Sequence, residues 1–591
     1  MYQLLQTNMK QKATVQGRSM VFNIAFVVLN ILGLAAVVIG SQKAFKDYFL
    51  LLNFLGYVLM AVSAAGLFIF RGRLMMANIA RGFVGALFIV SGLVKANDPL
   101  GFAYKLEEYF EDGALVYRIK ELFGAPEFSL EWLIPYALGI SIAICLIEIL
   151  LGVLMIIGGK IKWIAHFSLL MMVFFTFLTW HTASCNPSKL YKDYDRYEFG
   201  TVASQKMKEA KTNKNIRVVS MDSKEVLIEE WKTPQCVSDC GCFGDAMKGS
   251  VGRSLTPVES LWKDIILLYL VVWIFLGQWL IEPNTKTQNV KYLLSSLVIL
   301  ALLSFVFDWY FIVGFGMFLI IGALWIVRAG GYFLGNYFGG SSIVLTSCIV
   351  FVSYVLMYEP MKDYRPFAEG NNLAWQLNNG FEGKFRNTHL LRNRRTGEIE
   401  SYTENQYATN SDLWDEKQYK YVKLTQEELI PSRLPSITKG QFNPYLKVKD
   451  LTPAEKELEM VQKMLEKDPE IEEVNIQSAI LKEKRIVLLI SRNLSDANWK
   501  NSAAFKSIAS ACKKDRIPFI LLTSGSRSKI NAFREKYQFQ VPVFLNDEIG
   551  LKAIARSNPS MMILEKGIVK GKFPHRSIPT YEWLKKNTFK K

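Results

Sequence analysis

Nine long apolar runs crowd into the first 358 residues of this 591-residue chain, and they constrain its fold more than any other feature. An apolar helix of about 20 residues crosses a ~30 Å hydrocarbon core, so runs of that length with few charges read as membrane spans. They fall at 20–42, 48–70, 77–95, 133–158, 161–181, 259–281, 290–306, 309–327 and 342–358. Only Phe307 and Asp308 separate the seventh from the eighth. Residues 290–327 therefore read either as two spans or as one broken helix, which would invert everything downstream. Residues 359–591 hold most of the charge, and the chain is predicted to be half membrane protein and half soluble domain. One compact domain is excluded, because hydrophobic cores rarely grow past roughly 250–300 residues. Low proline and aperiodic glycine exclude collagen-like and disordered classes.

Lysine and arginine in short loops stay on the cytoplasmic side. With the N-terminus inside, the inner segments carry Lys10, Lys12 and Arg18, then Arg71 and Arg73, Lys160 and Lys162, Lys286 and Lys291, and Arg328. Nine crossings then leave loop 182–258 and residues 359–591 on the opposite, periplasmic side. The first run has no small-x-small site after it and reads as an uncleaved signal anchor. A net charge of +17 is explained by this topology and by contact with membrane lipid headgroups, so no nucleic-acid partner is inferred.

Seven cysteines are too few for a disulfide-dense scaffold, yet three cluster as Cys236-Val-Ser-Asp-Cys240-Gly-Cys242. Strained or exposed disulfides exchange more readily than structural ones, which makes Cys240 and Cys242 a candidate redox pair. The thiolate of one would attack a substrate and the other would resolve the mixed disulfide. Two alternatives stand beside this reading: fixed disulfides, or a tetrahedral zinc held by Cys185, Cys236, Cys240 and Cys242. The spacing lacks paired Cys-x2-Cys knuckles and the expected compartment is oxidising, so no metal is expected. Cys185 and Cys236 flank residues 186–235, and a structural disulfide across that neck would contribute about 3–4 kcal/mol. Cys145 and Cys348 fall inside spans and read as packed apolar side chains.

Glu148 lies mid-span in Ile-Cys-Leu-Ile-Glu-Ile-Leu-Leu, where an ionised side chain costs about 2.5–3.5 kcal/mol. Lys95, Arg81 and His166 are its candidate partners. It is read either as a group taking up the proton that accompanies electron transfer or as an interhelix lock. His181 beside Cys185 is read either as lowering a thiol pKa or as a surface-belt residue. Asp98-Pro99 marks a helix boundary. Leu106–Phe110 and Leu122-Phe123 suit an interfacial amphipathic segment roofing the site.

The run Ser91-Gly-Leu-Val-Lys95-Ala-Asn-Asp98-Pro99-Leu-Gly-Phe102, with Cys240-Gly-Cys-Phe-Gly-Asp245 and Leu261-Trp-Lys-Asp264, resembles the DoxX/MauE-like membrane protein family. The segment Asp363-Tyr-Arg-Pro-Phe-Ala-Glu-Gly370 resembles the tail of a Gram-negative bacterial subfamily. The resemblance spans about residues 77–281. It implies a four-helix membrane core, a bacterial inner-membrane location, disulfide formation on exported proteins and a link to quinone. Lys95, Asp98 and Pro99 form its membrane motif here. On this reading residues 1–76 are an added helix pair, 282–358 are further spans, 359–480 are a periplasmic linker and 481–591 a separate domain.

From residue 484 the pattern alternates: strand Arg485–Ile490, helix Ser502–Lys513, strand Pro518–Leu522, helix Lys529–Tyr537, strand Val541–Leu545, helix Leu551–Arg556, then a hairpin at Glu565-Lys566-Gly567. The order, with Asn558-Pro559 before the hairpin, resembles thioredoxin, and Pro559 takes the cis-proline position of that family. A working thioredoxin has Cys-x-x-Cys after its first strand. This chain has Ser491-Arg-Asn-Leu-Ser-Asp-Ala-Asn-Trp499 there, and Cys512 comes far along the next helix. A redox-dead partner-binding module is expected. Two functions are thus in play: a thiol-disulfide oxidoreductase passing electrons to quinone, or a scaffold of a cell-envelope complex. Transport is the weaker class, since the spans hold few polar residues and no broken-helix repeat.

Overall fold

The computed structural model describes residues 2–40, 49–69, 72–125, 127–213, 215–222, 224–237, 246, 255–329, 336–381, 384–430, 435–438 and 440–589. The chain divides into two compact units, Met1–Leu356 with Pro360–Tyr364, and Met357–Glu359 with Arg365–Lys591.

Among the described residues of the first unit, nine helices are long and apolar enough to cross a membrane. In chain order the helices are α1 (Tyr2–Gly40), α2 (Phe49–Ile69), α3 (Arg73–Asn97), α4 (Pro99–Phe110), α5 (Tyr117–Phe123), α6 (Ala137–Ile157), α7 (Ile161–Ser184), α8 (Thr201–Thr212), α9 (Pro257–Gly277), α10 (Lys286–Val306), α11 (Phe311–Ala329) and α12 (Asn336–Met357). The short α4, α5 and α8 are not spans. Capping boxes start two of the long ones: Thr256 with Glu259 opens α9, and Thr285 with Gln288 opens α10. Residues 290–327 form two helices. Asp308, at φ +48°, interrupts the ladder between α10 and α11, and Trp309 N–H turns back to the Ser304 carbonyl at 2.9 Å.

The antiparallel pair α3 and α6 makes the centre of the bundle. A Cβ on Gly85 would lie 2.9 Å from the Gly152 carbonyl, and one on Gly92 would lie 3.1 Å from the Ile149 nitrogen. Small residues at a helix crossing let two backbones approach closely, the usual way apolar helices gain contact where lipid supplies no hydrophobic drive. The segment after α7 folds into β1 (Tyr191–Glu198), β2 (Ile216–Met221) and β3 (Glu225–Lys232), an antiparallel sheet ordered β1-β3-β2. Helix α8 packs on it through a small core of Ala203, Ile216, Val226 and Ile228.

In the second unit β4 (Lys384–Asn393), β5 (Ile399–Thr403) and β6 (Tyr419–Ile430) form an antiparallel sheet ordered β5-β4-β6. A seven-stranded sheet ordered β13-β12-β9-β10-β11-β7-β8 follows, built from β7 (Tyr445–Lys447), β8 (Glu473–Asn475), β9 (Ile486–Asn493), β10 (Phe519–Ser524), β11 (Val543–Leu545), β12 (Ser560–Glu565) and β13 (Ile568–Pro574). Strands β9, β10 and β11 are parallel, and β12 and β13 are antiparallel to their neighbours. Continuous burial of Ile486–Ser491 reflects cover on both faces. Val487 and Leu489 meet Phe505, Ile508 and Phe533 of α13 (Ser502–Lys514) and α14 (Arg527–Tyr537), while Ile486, Leu488 and Ile490 face Val461, Ile480 and Ile554. The hairpin turn uses Lys566 at φ +48° and Gly567 at φ +76°, a left-handed pair in which glycine carries no Cβ penalty.

Residues 359–480, expected to be a linker, are not one. Strands β7 and β8 complete the sheet because Leu446 and Val474 are buried in its core. Three-residue strands carry too little alternation to be read from sequence. Within this stretch Pro453–Lys456 and Glu459–Lys467 form two short helices.

Candidate functional site

The close α3–α6 crossing sets Lys95, one turn beyond Gly92, against Glu148, the residue before Ile149. Lys95 Nζ donates to Glu148 Oε2 at 2.6 Å and to Ser91 Oγ at 3.1 Å, with the two charged side chains only 2% and 4% exposed. The ammonium also lies 4.4 Å from the centre of the Phe175 ring, a cation–π contact from α7. The other two candidate partners are engaged elsewhere. Arg81 hydrogen-bonds Asn284 and, at 2.9 Å, Tyr292, and His166 Nδ1 sits 2.6 Å from the Lys162 carbonyl.

This pair lines a cavity of about 280 Å³ bounded by α3, α6, α7, α9 and α10, with Ser91, Phe175, Asp264 and Phe307 in its wall. Its size is near the lower end of small-molecule pockets, ~300–1,000 Å³, which suits a single ring rather than a large ligand. Asp264, 2% exposed on its side chain, pairs with Lys263 at 2.9 Å.

Asp98 and Pro99 sit at the α3–α4 junction. The Asp98 carboxylate accepts from Gly101 N–H at 3.0 Å, and Pro99 opens α4, where its missing N–H costs nothing. Leu106, Tyr109 and Phe110 turn α4 inward to the bundle core, whereas Leu122 and Phe123 of α5 stay exposed.

Cys185 caps the C-terminus of α7 and is joined to Cys236, with an S–S distance of 1.99 Å and Cα atoms 5.7 Å apart across 51 residues. Tyr117 of α5 donates its hydroxyl to Cys185 Sγ at 3.8 Å, and burial raises the phenol pKa above its usual range. The Tyr117 ring meets His181 edge-on at 5.6 Å. His181 is fully buried, not a surface-belt residue. Cys240 and Cys242 lie outside the described residues. Cys145 and Cys348 are buried in the bundle core.

An ion network that sequence reading missed fastens the insertion to α5. Lys120 reaches Asp193 at 2.5 Å, and Lys232 bridges Asp193 and Asp195 at 2.7 and 2.9 Å. Burial opposes the Asp193 charge, but the two lysine hydrogen bonds outweigh it and hold the carboxyl below its usual range. The carboxylates of Asp112, Asp193 and Asp195 converge closely enough to hold a cation, but lysine ammonium groups already sit among them. No local motif signals this, since its members are scattered from Asp112 to Lys232 in sequence.

In the second unit the Asn558–Pro559 peptide is cis. Asn558 Oδ1 accepts from Ser491 Oγ at 3.0 Å and Arg492 N–H at 3.2 Å, which sets Pro559 beside the loop after β9. Cys512 is fully buried on α13, and burial pushes its thiol up to about 12. Thiolate is the reactive form, so Cys512 should remain unmodified by iodoacetamide at pH 7 in the folded chain and react only after denaturation. Peptide mass spectrometry checks this.

No curated protein matches the chain. Residues 73–185, which run from the start of α3 to Cys185 and include Lys95, Glu148 and the first half of the disulfide, match the family model described as methylamine utilisation protein MauE. The stretch holding Lys95 and Glu148 is a MauE family domain within a membrane protein whose described residues include nine candidate spans.

Proposed function

We propose that this is an inner-membrane protein that supports thiol-disulfide exchange on exported proteins and passes the electrons toward quinone. Its N-terminus is cytoplasmic, and its cysteine loop and thioredoxin-like C-terminal domain are periplasmic. Cys240 and Cys242 carry the exchange, and Glu148 takes up a proton released as thiols are oxidised and would pass it on to the quinone, whose reduction consumes two. The supporting observation is the buried Lys95–Glu148 pair in the wall of a ring-sized cavity within the MauE domain. A buried ion pair is costly to maintain, and at membrane depth it marks a functional site by default. A quinone ring fits the chemistry of this wall: aromatic and aliphatic side chains, Lys95 and Lys263 as donors for a carbonyl oxygen, and the carboxyl groups of Glu148, Glu259 and Asp264. Bound quinone would supply the two-electron sink. The chain's own groups orient the ring, exclude water and hold the proton at Glu148.

The test is the redox state of Cys240 and Cys242, trapped by acid and alkylation in respiring and in quinone-depleted cells. Depletion should leave the pair reduced. An unchanged pair would favour the second reading, an envelope scaffold that binds a partner through a redox-dead thioredoxin-like domain. That alternative draws on the loop after β9, which has no cysteine, and on the inaccessibility of Cys512.

A further inference from the structure

The Cys185–Cys236 disulfide is asymmetric. Cys236 is exposed, whereas Cys185 is partly covered and is the sulfur that receives the Tyr117 hydroxyl. Nothing comparable donates to Cys236 Sγ among the described residues. A hydrogen bond to a sulfur favours its thiolate, and in exchange the sulfur better able to bear charge leaves while the accessible one is attacked.

A second feature lies one helical turn before Cys185. His181 is fully buried, and neither ring nitrogen has a hydrogen-bond partner among the described residues. Buried polar atoms are seldom left unsatisfied, because each costs roughly 1–3 kcal/mol. Cys185 is the residue that ends α7 and its φ of −66° is still helical, which sets it about one turn beyond His181. While the disulfide is closed, Cys185 Sγ is committed to Cys236. Once it opens, rotation about the Cys185 side chain offers His181 a thiol partner. A reduced state of the same site would give the orphaned imidazole a partner.

We propose that Cys185–Cys236 is itself an exchange site for a cysteine thiolate of a peptide, with Cys236 attacked and Cys185 the leaving group. The incoming thiolate bonds to Cys236 Sγ as the Cys185–Cys236 bond breaks. Cys185 departs as a thiolate steadied by Tyr117 and then takes a proton. A second thiolate of the substrate displaces Cys236 from the mixed disulfide. Two substrate thiols are thereby oxidised to a disulfide and the protein pair is reduced to two thiols. This goes beyond the function proposed above and does not depend on Cys240 or Cys242.

The experiment uses the full chain carrying Cys240→Ser and Cys242→Ser, so that its failure is separate from failure of the reading above. The protein is exposed to reduced glutathione, quenched in acid, alkylated and mapped by peptide mass spectrometry. Glutathione should be found on Cys236 with Cys185 alkylated as the free thiol. Tyr117→Phe, which keeps the ring and removes the donor, should slow adduct formation about tenfold. An adduct on Cys185, or a disulfide that resists glutathione until the protein is unfolded, overturns the proposal. An unchanged rate in Tyr117→Phe overturns the assignment of Cys185 as leaving group. Adduct mapping in the chain that retains Tyr117 decides the matter even if the phenylalanine variant misfolds.

Discussion

Glu148→Ala should destabilise the membrane unit by about 3–5 kcal/mol, because it leaves the Lys95 ammonium, 2% exposed on its side chain, without the carboxylate 2.6 Å away. Removing one member of a buried pair strands its partner's charge, whereas removing both restores an apolar interior. Lys95→Met with Glu148→Leu should therefore recover most of the loss in a thermal unfolding series on the detergent-solubilised chain. Function and stability then part company. If Glu148 handles the proton of quinone reduction, the stable double variant should leave Cys240 and Cys242 trapped reduced in respiring cells. If the pair is only an interhelix lock, the double variant should keep them oxidised. A single variant with unaltered stability would mean that the pair is not held in a dry interior at all.

Much of this pair was legible in the sequence. A glutamate amid Ile-Cys-Leu-Ile and Ile-Leu-Leu is costly enough to demand a partner, and Lys95 was one of three within reach. Choosing among the three required the helix crossing, which rests on Gly85 meeting Gly152 and on Gly92 meeting the backbone at Cys145 and Ile149. A periodicity gives each helix but not which helices touch. The spans themselves were readable because lipid imposes length and composition residue by residue. Strands β7 and β8 were not, since three residues from a polar stretch acquire their role only when Leu446 and Val474 find a core assembled by β9 to β12. His181 shows the same limit. Its place beside Cys185 was visible, but its burial depends on Tyr109 and Tyr117 arriving from α4 and α5. The Asp193 network is longer-ranged still, tying α5 to β1 and β3 through charges that look like ordinary surface residues.

The second unit offers a loss of similar size with a different readout. Glu455→Ala should destabilise it by about 3–5 kcal/mol, for Glu455 and Arg534 are a buried pair whose side chains are 0% and 6% exposed. The carboxylate does three jobs at once. One oxygen accepts from Arg534 and, at 2.8 Å, from the Val543 N–H of β11, while the other closes the turn by accepting from Thr452 N–H at 2.8 Å. Arg534 also donates to the Val541 carbonyl at 3.0 Å, so the pair clamps α14 to the strand beside it. Alanine leaves a guanidinium and a backbone donor unmet in the interior, and both must be hydrated by opening that edge of the sheet. Cys512 is the reporter, because its buried thiol is protected in the folded unit. If alkylation proceeds through the opened form, the rate follows its population, and a loss of about 4 kcal/mol should raise it roughly a thousandfold. Glu455→Gln retains an acceptor for Val543 and should fall between the two. An alkylation rate in Glu455→Ala equal to that of the parent chain would show that the clamp contributes nothing to the stability of this sheet.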